Sequence, residues 1–167
     1  MKPEILTLPD LHLVGLEARF ISARSPDANR LRVIRPLWKA LRARQTELGV
    51  LVDPCAYGAC MCLAEAERHH PDELIYLAAF NVPPEMPTPY GFVDWCVSGQ
   101  TYARFIHRGS LNRLSETIGA IFDGWLPGSG FERTAGPDLE RYGERFCEDS
   151  AKSELEFLLP IRPKSAD

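Results

Sequence analysis

The sequence predicts an α+β fold built from two β-α-β-β repeats related by a pseudo-twofold axis, with a ligand cleft between them. Three observations carry this. Short motifs recur in the same order: ARFI at 18–21 and 103–106, NRL at 29–31 and 112–114, Tyr57-Gly58 and Tyr142-Gly143, Glu73-Leu74 and Glu154-Leu155, at offsets of 85, 83, 85 and 81 residues. Each copy also runs through one pattern of apolar periodicity, first two residues, then 3.6, then two further runs of strand length. Finally, four prolines in NVPPEMPTPYG at 81–91 forbid a helix or central strand and suit an extended joint. The expected organisation is one domain over residues 1–167, with repeat one at about 1–81 and repeat two at about 91–163.

The first element of each copy is an alternating strand, HLVGLEARFI in one and FVDWCVSGQTYARFIH in the other, the second broken by a bulge or tight turn at Ser98-Gly99-Gln100. A helix follows. In copy one, Ser25-Pro26 has the form of an N-cap and an N1 proline. Leu31, Ile34, Leu37, Trp38 and Leu41 then mark the apolar stripe, while Arg30, Arg35, Lys39 and Arg42 read as its solvated face. Pro36 inside this helix is expected to kink it. In copy two, Ser110 caps, the stripe is Leu114, Ile118, Ile121, Phe122 and Trp125, and Leu126-Pro127-Gly128 stops the helix. The closing strands are YGACMCL and ELIYLAAFNV in copy one, DLERYGERF and SELEFLLPI in copy two.

Composition narrows the function. Apolar residues make up 45% and charged residues 25%, with a formal net charge of −4, so disorder is excluded and a dedicated nucleic-acid binder is disfavoured. No run of apolar residues is long enough to span a membrane, and the N-terminus lacks a signal-peptide core. Five cysteines, an odd number with no CxxC, fit a reducing cytoplasm. Histidines at helical i, i+4 spacing are absent, so no metal site is expected. Gly-rich phosphate motifs are missing as well, and no cofactor is expected.

Strand parity then selects Glu140. In Leu139-Glu140-Arg141-Tyr142, Glu140 and Tyr142 share one face. The run is too short to say whether that face is buried. If it is, a carboxylate lies beside a phenol on an interior wall, where it needs a proton or a cationic partner. The aromatic residues mostly read as core, with Trp95 the best placed on a strand to line a pocket. Aromatic faces around one carboxylate make a receptor for a lipophilic cation.

The chain resembles the GyrI-like small-molecule-binding family, also called the AraC-type effector-binding domain. The likeness rests on VGLEARF, Leu37-Trp38, Tyr57-Gly58, the stretch SGQTYARFIHRGSLNRLSETIGAIFDGWLPGSGF, then GPDLERY and ELEFLLPI. It implies two β-α-β-β modules and a cleft between them that takes lipophilic, cationic small molecules. It also implies that Glu140, matching a family glutamate in the penultimate strand, is the charge partner. Trp95 and Tyr142, and beyond them Tyr57 and Trp38, are carried over as cleft aromatics. Many relatives have an N-terminal helix-turn-helix domain. The likeness here starts within the first residues, so the chain is not expected to read DNA by that route.

Three functions are consistent with this. The leading one is a stand-alone module that binds, sequesters or senses amphipathic cations. The second, on the resemblance, is a hydrolase of cyclopropane-containing toxins with Glu140 as general base. The third is a protein-partner inhibitor like topoisomerase-inhibiting relatives.

Overall fold

A computed structural model describes residues 1–148 and 150–165. The described residues form nine strands: β1 (Glu4–Leu8), β2 (Leu11–Ile21), β3 (Ala56–Cys62), β4 (Glu73–Asn81), β5 (Val93–Val97), β6 (Gln100–Arg108), β7 (Phe131–Arg133), β8 (Asp138–Tyr142) and β9 (Glu154–Pro163). Eight form one antiparallel path, β1-β6-β9-β8-β3-β4-β2-β5, and β7 adds to β9. From either end the path reads alike, edge strand, ARFI strand, last strand, penultimate strand, and the two halves meet where β8 pairs β3. This is the duplicated β-α-β-β architecture with its pseudo-twofold. The two ARFI motifs occupy the equivalent strands β2 and β6.

The other repeat motifs fare differently. Ile21 lies opposite Glu73, whereas Ile106 lies opposite Glu156. The structural counterpart of Glu73 is therefore Glu156, two residues beyond the sequence match. The Tyr57-Gly58 and Tyr142-Gly143 match fails altogether, because the two tyrosines point to opposite faces of the sheet.

Edge strand β1 carries the N-terminal EILTL, which the sequence reading left without an element. The run over residues 92–107, read as broken by a bulge or tight turn at Ser98-Gly99-Gln100, is two strands, β5 and β6, and Ser98-Gly99 between them crosses from one half of the sheet to the other. Pro9-Asp10 does the same between β1 and β2. Two residues span at most roughly 10 Å, yet each crossing connects strands from opposite ends of the path. The sheet must therefore curl until its ends meet. The crossings touch, the Gly99 amide donating to Asp10 Oδ1 at 2.6 Å. A Cβ on Gly99 would lie 2.9 Å from the Leu8 carbonyl oxygen, so only glycine fits this approach. The enclosed inner face is filled by Leu11, Leu13, Tyr57, Leu77, Leu139 and Leu158.

Both helices cover the outer face. Helix α1 (Arg30–Ala43) buries Ile34 and Leu41, each worth about 1.5–3 kcal/mol. It starts four residues after the expected proline. Ser25 Oγ accepts from the Asp27 amide in a turn, and Asn29 flanks the helix with its side chain turned back to the Ile21 amide. Pro36 lies inside the helix without ending it. Helix α2 (Leu114–Gly119) continues through a π-helical turn (Ala120–Trp125) to Leu126–Gly128. The Ser110 hydroxyl accepts from the Asn112 amide ahead of it. Trp125 packs edge-on against Phe105 at 5.1 Å and is core. Beyond Asn81, which ends β4, the proline-rich joint forms neither helix nor strand.

Candidate functional site

The site lies where the two halves meet, on the helix-covered face. Alternation along β8 puts Asp138, Glu140 and Tyr142 on that face, and the ladder sets them opposite Cys60, Gly58 and Ala56 of β3. One strand further, Tyr76 on β4 lies opposite Cys60. Gly58 opens the path between them. A Cβ there would stand 1.9 Å from the Tyr76 hydroxyl, which instead reaches over the bare backbone to Glu140.

Glu140 is 4% exposed, and both of its oxygens are occupied. Oε2 accepts from the Tyr76 hydroxyl at 2.9 Å and the Tyr142 hydroxyl at 2.5 Å. Oε1 accepts from Arg30 Nη2 at 2.5 Å, an ion pair whose side chains are 10% and 5% exposed. Trp38 of α1 donates its indole N–H to the Tyr76 hydroxyl at 3.2 Å and lies edge-on to Tyr142 at 5.0 Å. Phe146 closes on the other side of Tyr142 at 4.7 Å.

The electrostatics follow from burial. Desolvation alone would lower the Arg30 pKa, but the Glu140 carboxylate, with the phenols of Tyr142 and Tyr76, overcomes it and raises it. Burial, reinforced by the Glu140 charge, pushes both phenols well above their ordinary range, so they remain donors. Nearby Asp138 is pushed up to about 6 by burial, against the pull of Arg133, whose Nε and Nη2 lie 3.1 and 2.9 Å from Asp138 Oδ1.

Two cavities flank this cluster and share Arg30 as a wall. One, of about 270 Å³, lies between the sheet and α2 and is lined by Tyr76, Glu140, Asp138, Arg133, Phe20 and Phe122, among others. The second, of about 630 Å³, runs along α1 past Trp38, Tyr142 and Phe146, with Lys39 and Arg42 at its rim.

Of the five residues singled out from the sequence, Glu140, Tyr142 and Trp38 come together here. Tyr57 and Trp95 do not. Tyr57 lies opposite Arg141, so parity turns it to the inner face, where its hydroxyl donates to Asp53 Oδ2 at 3.1 Å. Trp95 lies opposite Leu13, also on the inner face, and donates to Glu17 Oε2. Arg30 and Tyr76 were missed. Arg30, assigned to the solvated face, keeps its side chain only 10% exposed. It stands at i, i+4, i+7 and i+11 with Ile34, Leu37 and Leu41, which continues the apolar stripe back by one turn and was the available signal. Its repeat counterpart Arg113 is exposed and pairs with Glu116. The duplication is thus symmetric in fold and asymmetric in chemistry.

Replacing Gly58 by alanine is expected to expel the Tyr76 hydroxyl from Glu140 and destabilise the fold by about 1–3 kcal/mol. Urea unfolding of Gly58→Ala beside Gly124→Ala, where nothing lies within 4 Å of the added Cβ, checks this. Equal midpoints would show that Tyr76 yields freely.

Residues 1–162 match the family described as the GyrI-like small molecule binding domain. The transcriptional regulator BrlR of Pseudomonas aeruginosa is 31% identical over 163 residues, covering 96% of this chain and 56% of the regulator. The chain thus spans about half the length of that curated relative. Among solved structures, SAV2435 bound to tetraphenylphosphonium has a TM-score of 0.72 at 14% identity, over 97% of this chain and 94% of that one. A hydrolase encoded by lin2189 from Listeria innocua is more distant, with a TM-score of 0.50 at 13% identity, over 96% and 92% of the two chains.

Proposed function

The chain belongs to the GyrI-like small-molecule-binding domain family, and we propose that it binds lipophilic cations over Glu140, the ligand taking the place of Arg30 against that carboxylate. The observation that carries this is a carboxylate buried among Trp38, Tyr76 and Tyr142, already holding a cation from the protein itself. A site that has desolvated a guanidinium has met the electrostatic requirement for an organic cation of similar charge. Moving Arg30 aside would join the two cavities it separates. The tetraphenylphosphonium held by SAV2435 is a ligand of this chemistry. Five unpaired thiols support the cytoplasmic reading.

The hydrolase reading has less support. A general base must reach an attacking water, and here Arg30 stands against one Glu140 oxygen while two phenols cap the other. The arrangement suits charge recognition.

The direct test is calorimetric titration of tetraphenylphosphonium and of triphenylphosphine oxide, a neutral aromatic of related shape. The cation is expected to bind more tightly. Equal affinities would sink the charge-recognition reading. A pH series adds a second check. Asp138, pushed up to about 6, is charged above that pH and mostly neutral below it. Cation affinity should therefore rise a few-fold between about pH 5 and about pH 7.5, and that of the neutral compound should stay flat. A rise common to both ligands would remove Asp138 from the account.

A further inference from the structure

We propose that His12, Asp94 and Cys96 form a divalent transition-metal site of the zinc class at the edge of the sheet, separate from the Glu140 cleft. No local spacing advertises it, because the ladder assembles it. His12 of β2 is directly opposite Cys96 of β5, and Asp94 stands two residues along β5 on the same face. The three ligand atoms all lie within 4.8 Å of one another, and His12 Nε2 is 3.7 Å from Asp94 Oδ2. Tetrahedral zinc, with bonds of about 2.0–2.3 Å, separates its ligand atoms by about 3.3–3.7 Å. The imidazole–carboxylate edge is within a few tenths of an ångström of that spacing, and rotation of the exposed Cys96 side chain would complete the face.

The imidazole is held for this purpose. Its Nδ1 is 3.2 Å from the Pro83 carbonyl oxygen. A carbonyl only accepts, so Nδ1 carries the hydrogen, and in the neutral ring the Nε2 lone pair then faces the carboxylate. A metal-bound histidine is oriented in this way, its second nitrogen donating to a backbone carbonyl. The ring is 12% exposed, and its backbone is pinned on both sides, His12 N–H donating to Asn81 Oδ1 and its carbonyl accepting from Val82 N–H. Two lone-pair donors aimed at each other call for a cation between them. A set of nitrogen, sulfur and oxygen ligands selects zinc, cobalt or nickel over calcium or magnesium. Bound there, the metal would staple β5 to β2 and leave a coordination position open to water.

The test uses the whole chain. Cobalt titration is expected to give a thiolate charge-transfer band saturating at one metal per chain. Zinc should raise the melting temperature, since it binds the native ladder and not the unfolded chain. Cys96→Ser should remove the band and weaken zinc by about tenfold or more, as should His12→Ala and Asp94→Asn. Cys62→Ser and Cys147→Ser, at the other exposed thiols, should change nothing. Cys96 is on the surface, so its variant reports even if His12→Ala fails to fold. A band that survives Cys96→Ser, or a melting temperature indifferent to micromolar zinc, overturns the proposal and leaves His12 and Asp94 bridged by a proton alone.

Discussion

Replacing Arg30 by methionine is expected to tighten tetraphenylphosphonium binding by about tenfold or more, while Glu140→Gln weakens it by the smaller margin left after the exchange. The two substitutions remove the two halves of one buried ion pair, yet they act in opposite directions because the ligand competes with Arg30 for Glu140. A charge-assisted contact is worth roughly 1.5–3 kcal/mol, or about ten- to a hundredfold in affinity. In the native protein the ligand gains that contact only by breaking the one Arg30 makes, so its advantage over a neutral analogue is what remains of the exchange. Methionine keeps much of the apolar stem of Arg30 and frees the carboxylate. Triphenylphosphine oxide should respond little to either change. Titrating both compounds into the native protein, Arg30→Met, Glu140→Gln and the double variant gives the full cycle. If Arg30→Met weakens the cation as much as Glu140→Gln does, Arg30 belongs to the ligand's own contacts and the displacement mechanism is wrong.

The second large effect is on stability. Glu140→Leu should cost about 3–5 kcal/mol, since it leaves a guanidinium buried without its counter-charge. For a chain of this size that is roughly a 10 °C fall in melting temperature. The Tyr76 and Tyr142 hydroxyls lie 3.3 Å apart and can bond each other once the carboxylate is gone. The Arg30→Met/Glu140→Leu double variant should therefore recover most of the loss, as apolar replacements of buried pairs often do. Thermal or urea unfolding of the three variants measures the coupling. Additive losses would show that the two residues are held by different parts of the core.

Much of this was legible from local pattern. Alternation identified the strands that carry ARFI and paired Glu140 with Tyr142, because side chains two apart on a strand share a face whatever surrounds them. The 3.6 stripe placed Ile34 and Leu41 in the core for the same reason, and its backward continuation would have placed Arg30 there. Four prolines marked the joint. The N-terminal strand was not legible, since EILTL is a mostly exposed edge whose partner, β6, begins at Gln100, 92 residues beyond Leu8.

By itself, then, the sequence determined the duplicated architecture, the two helices with their buried stripes, and a carboxylate and phenol side by side on β8. Only the tertiary structure decided which face of the sheet that pair would join. Parity states that neighbours two apart agree, and it is silent on the side they take. That choice came from the ladder, which set Gly58 against Glu140 and Tyr57 against Arg141, turning one conspicuous tyrosine away and letting Tyr76 in. It came too from the packing of α1, which carried Arg30 across 110 residues of sequence to the carboxylate. Contacts at that separation depend on how whole elements pack, and no periodicity within one element encodes them.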